Sequence, residues 1–209
     1  MTAAAPIARV AGIAVVFARD DIDTDQLFPA RFLASGDPGA ALFGSERYVA
    51  EGRDENPRFV LNREPWRHAR VLVAGRNFGC GSSREHAVWA LRDFGIGAVI
   101  AESFNEIFRD NCLRNGVVPA MASAATVQRV AEHLRSHATA TVCVDLAGRT
   151  IEVDGAAVGD FEIPAIARRM LMQGQDEIGL ALGCGAQIER FERRDRESRP
   201  WLWRSARAP

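Results

Sequence analysis

The chain contains no lysine: all 26 basic residues among its 209 are arginine. A Schiff-base lysine and a phosphate loop built on Gly-Lys are therefore excluded here. Close cysteine pairs are also missing. Cys80, Cys112, Cys143 and Cys184 stand far apart, which argues against a private zinc or iron–sulfur site and fits the reduced thiols of a cytoplasmic protein. No apolar run approaches the roughly 18 residues that a membrane span needs, so no membrane association is expected. The apolar segment after Arg9 lacks a basic leader and runs straight into Asp20-Asp21, so it reads as a strand, not a signal peptide. Charge of one sign is not in excess, with a net value of −1. No basic stripe or aromatic RNA-binding run is present, and nucleic acid is not an expected partner. Repeats and low-complexity tracts are absent as well.

What is present is an ordinary globular profile, 47% apolar and 25% charged. Gly12–Ala18 reads as a first strand ending in the acidic turn 20–25. Residues 26–68 are broken by Pro29, Gly36, Pro38, Gly39, Gly44, Gly52, Pro57 and Pro65, so no long element is expected there. Stretches of this length without pattern are often functional or partner-binding. From residue 69 the pattern sharpens. Strands are predicted at Ala69–Ala74, Ala98–Ala101 and Val117–Met121, with helices at about Arg84–Asp93, Phe104–Leu113 and Ala125–His137. Asn115-Gly116 closes the second helix. Short strands at Thr141–Asp145 and Arg149–Val153 flank a hairpin turn at Ala147-Gly148. Ile163–Gln173 is a last clear helix, and Ile178–Leu182 extends the helical pattern. The tail 189–209 is rich in Arg and Glu, with Trp201 and Trp203 as a docking edge. Alternating strands and helices flanked by β-rich pieces give an α/β domain with mixed sheet character.

Chemistry concentrates in Arg76–His86. This segment places a glycine-rich turn between the apolar run Val71–Ala74 and an apolar-periodic helix. Such a turn aims backbone N–H groups, the hydroxyls of Ser82 and Ser83 and the guanidinium of Arg84 at one point, an arrangement suited to a small carboxylate. Ser82-x-x-Glu85 also has the spacing of a helix capping box. Gly79 and Gly81 clear space for a ligand. Arg84, a cation in the first turn, opposes the helix dipole unless an anion sits there, which favours function over capping alone. Cys80 has no catalytically spaced histidine and reads as a packing residue.

The run Asn77–His86 resembles the signature of the swivelling domain of the aconitase superfamily. Asp23-Thr24-Asp25 with Pro29, Asn56–Asn62, Ser103–Cys112, Asn115-Gly116 with Pro119, and Gly174–Leu180 make the wider pattern similar to the small-subunit family of 3-isopropylmalate dehydratases. The resemblance covers about residues 7–202 and implies a single domain over 1–209. Its implied fold is an aconitase-like swivelling β/β/α domain with a mixed sheet and flanking helices. It also implies a hydro-lyase that interconverts 2- and 3-isopropylmalate in leucine biosynthesis, active only with a large iron–sulfur subunit. No cofactor or metal would reside in this chain; a [4Fe–4S] cluster would lie on the large subunit. The substrate would be a small hydroxy-dicarboxylate. By the same resemblance Ser82 is the catalytic base, and Ser83 and Arg84 bind the substrate carboxylate. Asp25 and Thr24 lie near the same cleft as substrate-binding residues, or form an Asx-type turn. Gly79, Gly81 and His86 support the site. A free serine is a poor base at neutral pH, so N–H donors and Arg84 must stabilise its alkoxide.

One departure stands out. The family carries a basic pair shortly after Phe-Leu, whereas this chain reads Ala34-Ser35-Gly36-Asp37 after Phe32-Leu33, and Arg31 is out of register. Dehydratases acting on citraconate or citramalate, 2,3-dimethylmalate or homoaconitate-type acids therefore stay open, as does a stand-alone anion-binding module.

Overall fold

Apolar residues in the middle of the chain come in continuous runs instead of alternating, and this dictates the architecture. The computed structural model describes residues 5–34, 36–49, 54–81 and 84–203. In β4 (Val71–Ala74) and β5 (Ala98–Ala101) every residue is buried, the signature of parallel strands covered on both faces. β1 (Arg9–Phe17) pairs parallel with β4, β4 with β5, and β5 with β6 (Val118–Ala122). The antiparallel strands β7 (Thr141–Asp145), β8 (Thr150–Val153) and β9 (Ala156–Glu162) complete the circle, and the order β1-β4-β5-β6-β9-β8-β7 closes into a barrel. The mixed sheet is thus as expected, and its closure removes all exposed strand edges among the seven.

Two cores follow from this closure. Val10, Val71, Val73, Ile100, Val118, Val144, Ile151 and Phe161 fill the barrel side, joined by Val127, Val130 and Leu134 of the 13-residue helix Ala124–Ser136. On the other face Val15, Phe17, Leu72 and Val99 meet a helical layer. That layer comprises α1 (Thr24–Leu27), α2 (Pro38–Ala41), α3 (Gly44–Arg47), α4 (His86–Phe94) and α5 (Glu106–Arg114). Among its described residues, the proline- and glycine-broken stretch forms α1–α3, three short 3-10 helices and the two-residue pair β2 (Tyr48–Val49) and β3 (Asp54–Glu55). It is anchored by buried Arg47, which donates to Asn62 Oδ1 at 3.0 Å and to the Gly39 carbonyl at 3.2 Å.

The structure adds one strand that was not expected and revises two expectations. Strand β9 has no β-branched alternation, yet two partners, β8 and β6, hold it in the sheet. The predicted helix from Arg84 begins at His86 instead. The charged tail starts inside a helix: after α6 (Ala124–Ser136), α7 (Ala165–Gln173) and α8 (Glu177–Gly183), α9 spans Gly185–Ser198. Trp203 then turns back on α9, its indole donating to Asp195 Oδ2 at 2.8 Å, while Trp201 stays exposed.

Candidate active site

Three turns leave the C-terminal ends of the parallel strands β1, β4 and β5, the position where open α/β sheets place their ligands. They are laced by backbone hydrogen bonds. Asp21 N–H donates to Arg76 O at 2.9 Å, Gly79 N–H to Ile22 O at 2.8 Å, and Thr24 N–H to Cys80 O at 3.0 Å. On the far side Phe78 N–H donates to Ser103 O at 3.0 Å and Asn105 N–H to Phe78 O at 2.9 Å. Segments 20–25, 76–81 and 103–105, far apart in the chain, are therefore one sheet-like extension with parallel bridges Asp23–Cys80 and Phe78–Phe104.

Side chains reinforce the lacing. Asp20 accepts from the Arg76 N–H at 2.7 Å and from its guanidinium at 2.7 and 3.0 Å. The backbone donor first, and the guanidinium second, hold the Asp20 carboxyl below its usual range. Asp21 and Asn77 both adopt left-handed backbone, φ 55° and 54°, which their short polar side chains tolerate. The Asn77 amide donates to Asp21 Oδ1 at 2.7 Å. Sequence reasoning missed these two braces. An Asp-Asp pair ending one strand and an Arg-Asn pair ending the next was the available clue.

The turn also needs its glycines. Gly79 has φ +74°, and a Cβ there would lie 2.1 Å from the ring of Phe108. Gly81, at φ +86°, meets no described residue closer than Asp23 Cβ at 3.5 Å. Glycine serves close packing at the first position and backbone conformation at the second.

Ser82 and Ser83, the expected base and carboxylate holder, lie outside the described residues. Their flanks are clear. Arg84 pairs with the Asp25 carboxylate through Nη1, so the two motifs expected to share a cleft do meet. Thr24, next to Asp25, is fully buried. Capping at the end of β1 falls to Asp23: its side chain accepts from Gln26 N–H at 2.6 Å, and Gln26 Oε1 accepts from Asp23 N–H at 3.3 Å. The Asx-type turn and the Arg84 contact thus coexist on neighbouring residues. At α4 the N-cap is Glu85, without a side-chain cap bond; the capping box expected between Ser82 and Glu85 involves a residue outside the described ones. Glu85 instead accepts from Asn115 Nδ2 at 2.8 Å. This explains the late helix start, since Arg84 turns to Asp25 and Glu85 to Asn115.

His86 lies against Phe28 and Trp89, with ring centroids at 5.5 and 4.6 Å. Burial, followed by the Asp23 and Asp21 carboxylates, raises the Cys80 thiol, which keeps it protonated and unsuited to nucleophilic attack. Among the described residues no group of three or more His, Cys, Asp or Glu side chains could hold a metal, and no helix is long and apolar enough to cross a membrane. A groove of about 720 Å³ beside the start of α6 is lined by residues of both charges, among them Arg129, Arg149, Asp160 and Glu162. No described residue of 20–28 or 76–86 lines it, and its mixed charge suits no single anion. The laced turns hold the better chemical case.

Residues 5–125 match the aconitase C-terminal domain family. Similar curated proteins include the 3-isopropylmalate dehydratase small subunit of Dinoroseobacter shibae, 43% identical over 93% of this chain and 98% of that one. The small subunit of Rhodospirillum rubrum is 44% identical over 91% and 93%. The crystal structure of a 3-isopropylmalate dehydratase from Methanocaldococcus jannaschii aligns with a TM-score of 0.60 at 30% identity, covering 87% of this chain and 99% of that one.

Proposed function

This chain belongs to the aconitase C-terminal domain family, among the small subunits of 3-isopropylmalate dehydratase, and from that premise we propose how its residues divide the work. It is the small subunit of a hydro-lyase of leucine biosynthesis and acts with a large subunit. Its substrates are 2- and 3-isopropylmalate. Ser82 takes the proton from the carbon beside a carboxylate as the neighbouring hydroxyl departs, and returns it in the reverse direction. Ser83 and Arg84 hold that carboxylate. The observation that carries this reading is the Arg84–Asp25 contact at the mouth of the laced turns.

Asp25 is an anion, so it does not itself hold a substrate carboxylate. It occupies one edge of the Arg84 guanidinium and leaves the other N–H donors for the ligand. Thr24, fully buried, supports the turn, revising the substrate contact expected of it. Gly79, Gly81 and His86 support the site by packing. A [4Fe–4S] cluster on the large subunit would act as Lewis acid on the departing hydroxyl; the wide cysteine spacing here supports its placement on the partner. The same proposal locates the enzyme in the cytoplasm, supported by its four free cysteines.

The substrate's far end favours keeping a second reading. Arg31 donates to the Gly44 carbonyl at 3.2 Å and stacks on Phe32, so it does not replace the basic pair absent at 34–37. A related dehydratase of citramalate, 2,3-dimethylmalate or homoaconitate type is the alternative.

The test is reconstitution with the iron–sulfur subunit and a panel of these acids. Isopropylmalate should win by more than about tenfold in kcat/KM, and the chain alone should be inactive. Preference for another acid moves the substrate and leaves the chemistry. In the same assay Arg84→Lys, which keeps the charge and loses the planar fork, should raise KM by about ten- to a hundredfold. An unchanged KM would remove Arg84 from carboxylate binding.

A further inference from the structure

Asn115, which closes α5, reaches across to the signature helix and touches one stripe of it three times. Its Nδ2 donates to Glu85 Oε1 at 2.8 Å, and its Oδ1 accepts from Trp89 Nε1 at 3.0 Å and from Arg92 Nη1 at 3.5 Å. Residues 85, 89 and 92 are four and three apart, so they lie on one face of α4. Asn115 is itself fixed: its N–H donates to the carbonyls of Asn111 and Cys112, each at 3.1 Å, and Nδ2 also donates to Asn111 O at 2.9 Å. Donor and acceptor of one amide are both committed to α4, and only a primary amide in this orientation serves both.

We propose that Asn115 is a positioning residue for the reaction, setting the rotation of α4 so that Arg84 faces Asp25 and the substrate carboxylate. Arg84 is tied to that helix through its carbonyl, which accepts from Ala87 N–H at 3.2 Å, and it immediately precedes Glu85. Glu85 is bonded to Asn115, while Arg84, the residue before it, pairs with Asp25 of α1. The N-cap residue of α4, Glu85, makes no side-chain cap bond; its carboxylate instead ties the start of the helix to Asn115. The inference rests on Arg84 as carboxylate holder.

The test uses the reconstituted enzyme. Asn115→Asp keeps the acceptor for Trp89 and Arg92 but sets a carboxylate against Glu85. KM for 2-isopropylmalate should rise about tenfold, the loss expected for a hydrogen bond to a charged group, with kcat changing less and assembly with the large subunit intact. Adding Glu85→Gln restores a donor–acceptor pair and should recover most of that KM. Glu85→Gln alone, at an exposed position that leaves the core untouched, should raise KM about twofold to threefold. A lowered Tm with unchanged KM, or no rescue by the double variant, would show that Asn115 only stabilises the fold. If Arg84→Lys itself leaves KM unchanged, the carboxylate-holding assignment fails first. If Arg84→Lys raises KM and Asn115→Asp does not, only the positioning role is lost.

Discussion

Ser82→Ala, assembled with the iron–sulfur subunit, should lose at least ~10²–10⁴-fold in kcat, the contribution of a positioned acid–base group. The loss should appear in kcat with KM nearly unchanged, because a base acts on the transition state more than on the bound substrate. Ser83→Ala should do the reverse, raising KM and sparing kcat, since a hydroxyl that holds a carboxylate binds ground and transition states alike. The pair of variants thus separates the two adjacent hydroxyls, which chain position alone cannot. Co-elution with the large subunit on size exclusion is the control for folding. Normal turnover by Ser82→Ala would sink the assignment of the base, and the opposite split would exchange the two roles.

Gly79→Ala should damage the fold strongly. The added Cβ would sit 2.1 Å from a Phe108 ring that is only 1% exposed and packed edge-on against Phe78. Neither ring has room to withdraw, so the turn must lift away from α5. Overpacking of this kind costs about 1–3 kcal/mol, and left-handed backbone adds about 1 kcal/mol for a residue bearing Cβ. For a chain of this size the sum corresponds to a fall in Tm of roughly 5–15 °C. Gly81→Ala pays only the backbone part, because no described residue lies within 3.4 Å of its added methyl, and should lose roughly 2–4 °C. Thermal melts of the two variants side by side isolate the steric contribution. Equal losses would show that conformation, not the Phe108 contact, explains glycine at both positions.

Much of this arrangement was legible in the residues. Uninterrupted Val-Leu-Val-Ala and Ala-Val-Ile-Ala runs announce strands buried on both faces, and those strands carry the site at their ends. Asn115-Gly116 marks the end of α5 where it ends. The Asp23–Asp25 turn and the Arg76–His86 turn were each readable as special. What sequence spacing could not show is that they touch, because that depends on β1 and β4 being neighbours in parallel register. Barrel closure was equally hidden, since it rests on β9, whose Ala-Ala-Val-Gly-Asp stretch has no intrinsic preference for a strand and is held there by its two partners. The Ser82-x-x-Glu85 spacing likewise gave no sign that Glu85 accepts from Asn115, 30 residues away in sequence.

The lacing of the three turns has an outcome for how this site can change. Segments 20–25, 76–81 and 103–105 exchange backbone hydrogen bonds at every junction, so they must be inherited, or transplanted, as one cassette. Ala34, Gly36 and Asp37, among the described residues, exchange no backbone hydrogen bond with these turns. On the proposed reading, new substrate preferences can be written around positions 34–37 while the residues proposed for proton transfer are copied unchanged, and a designer should vary the former and leave the cassette whole.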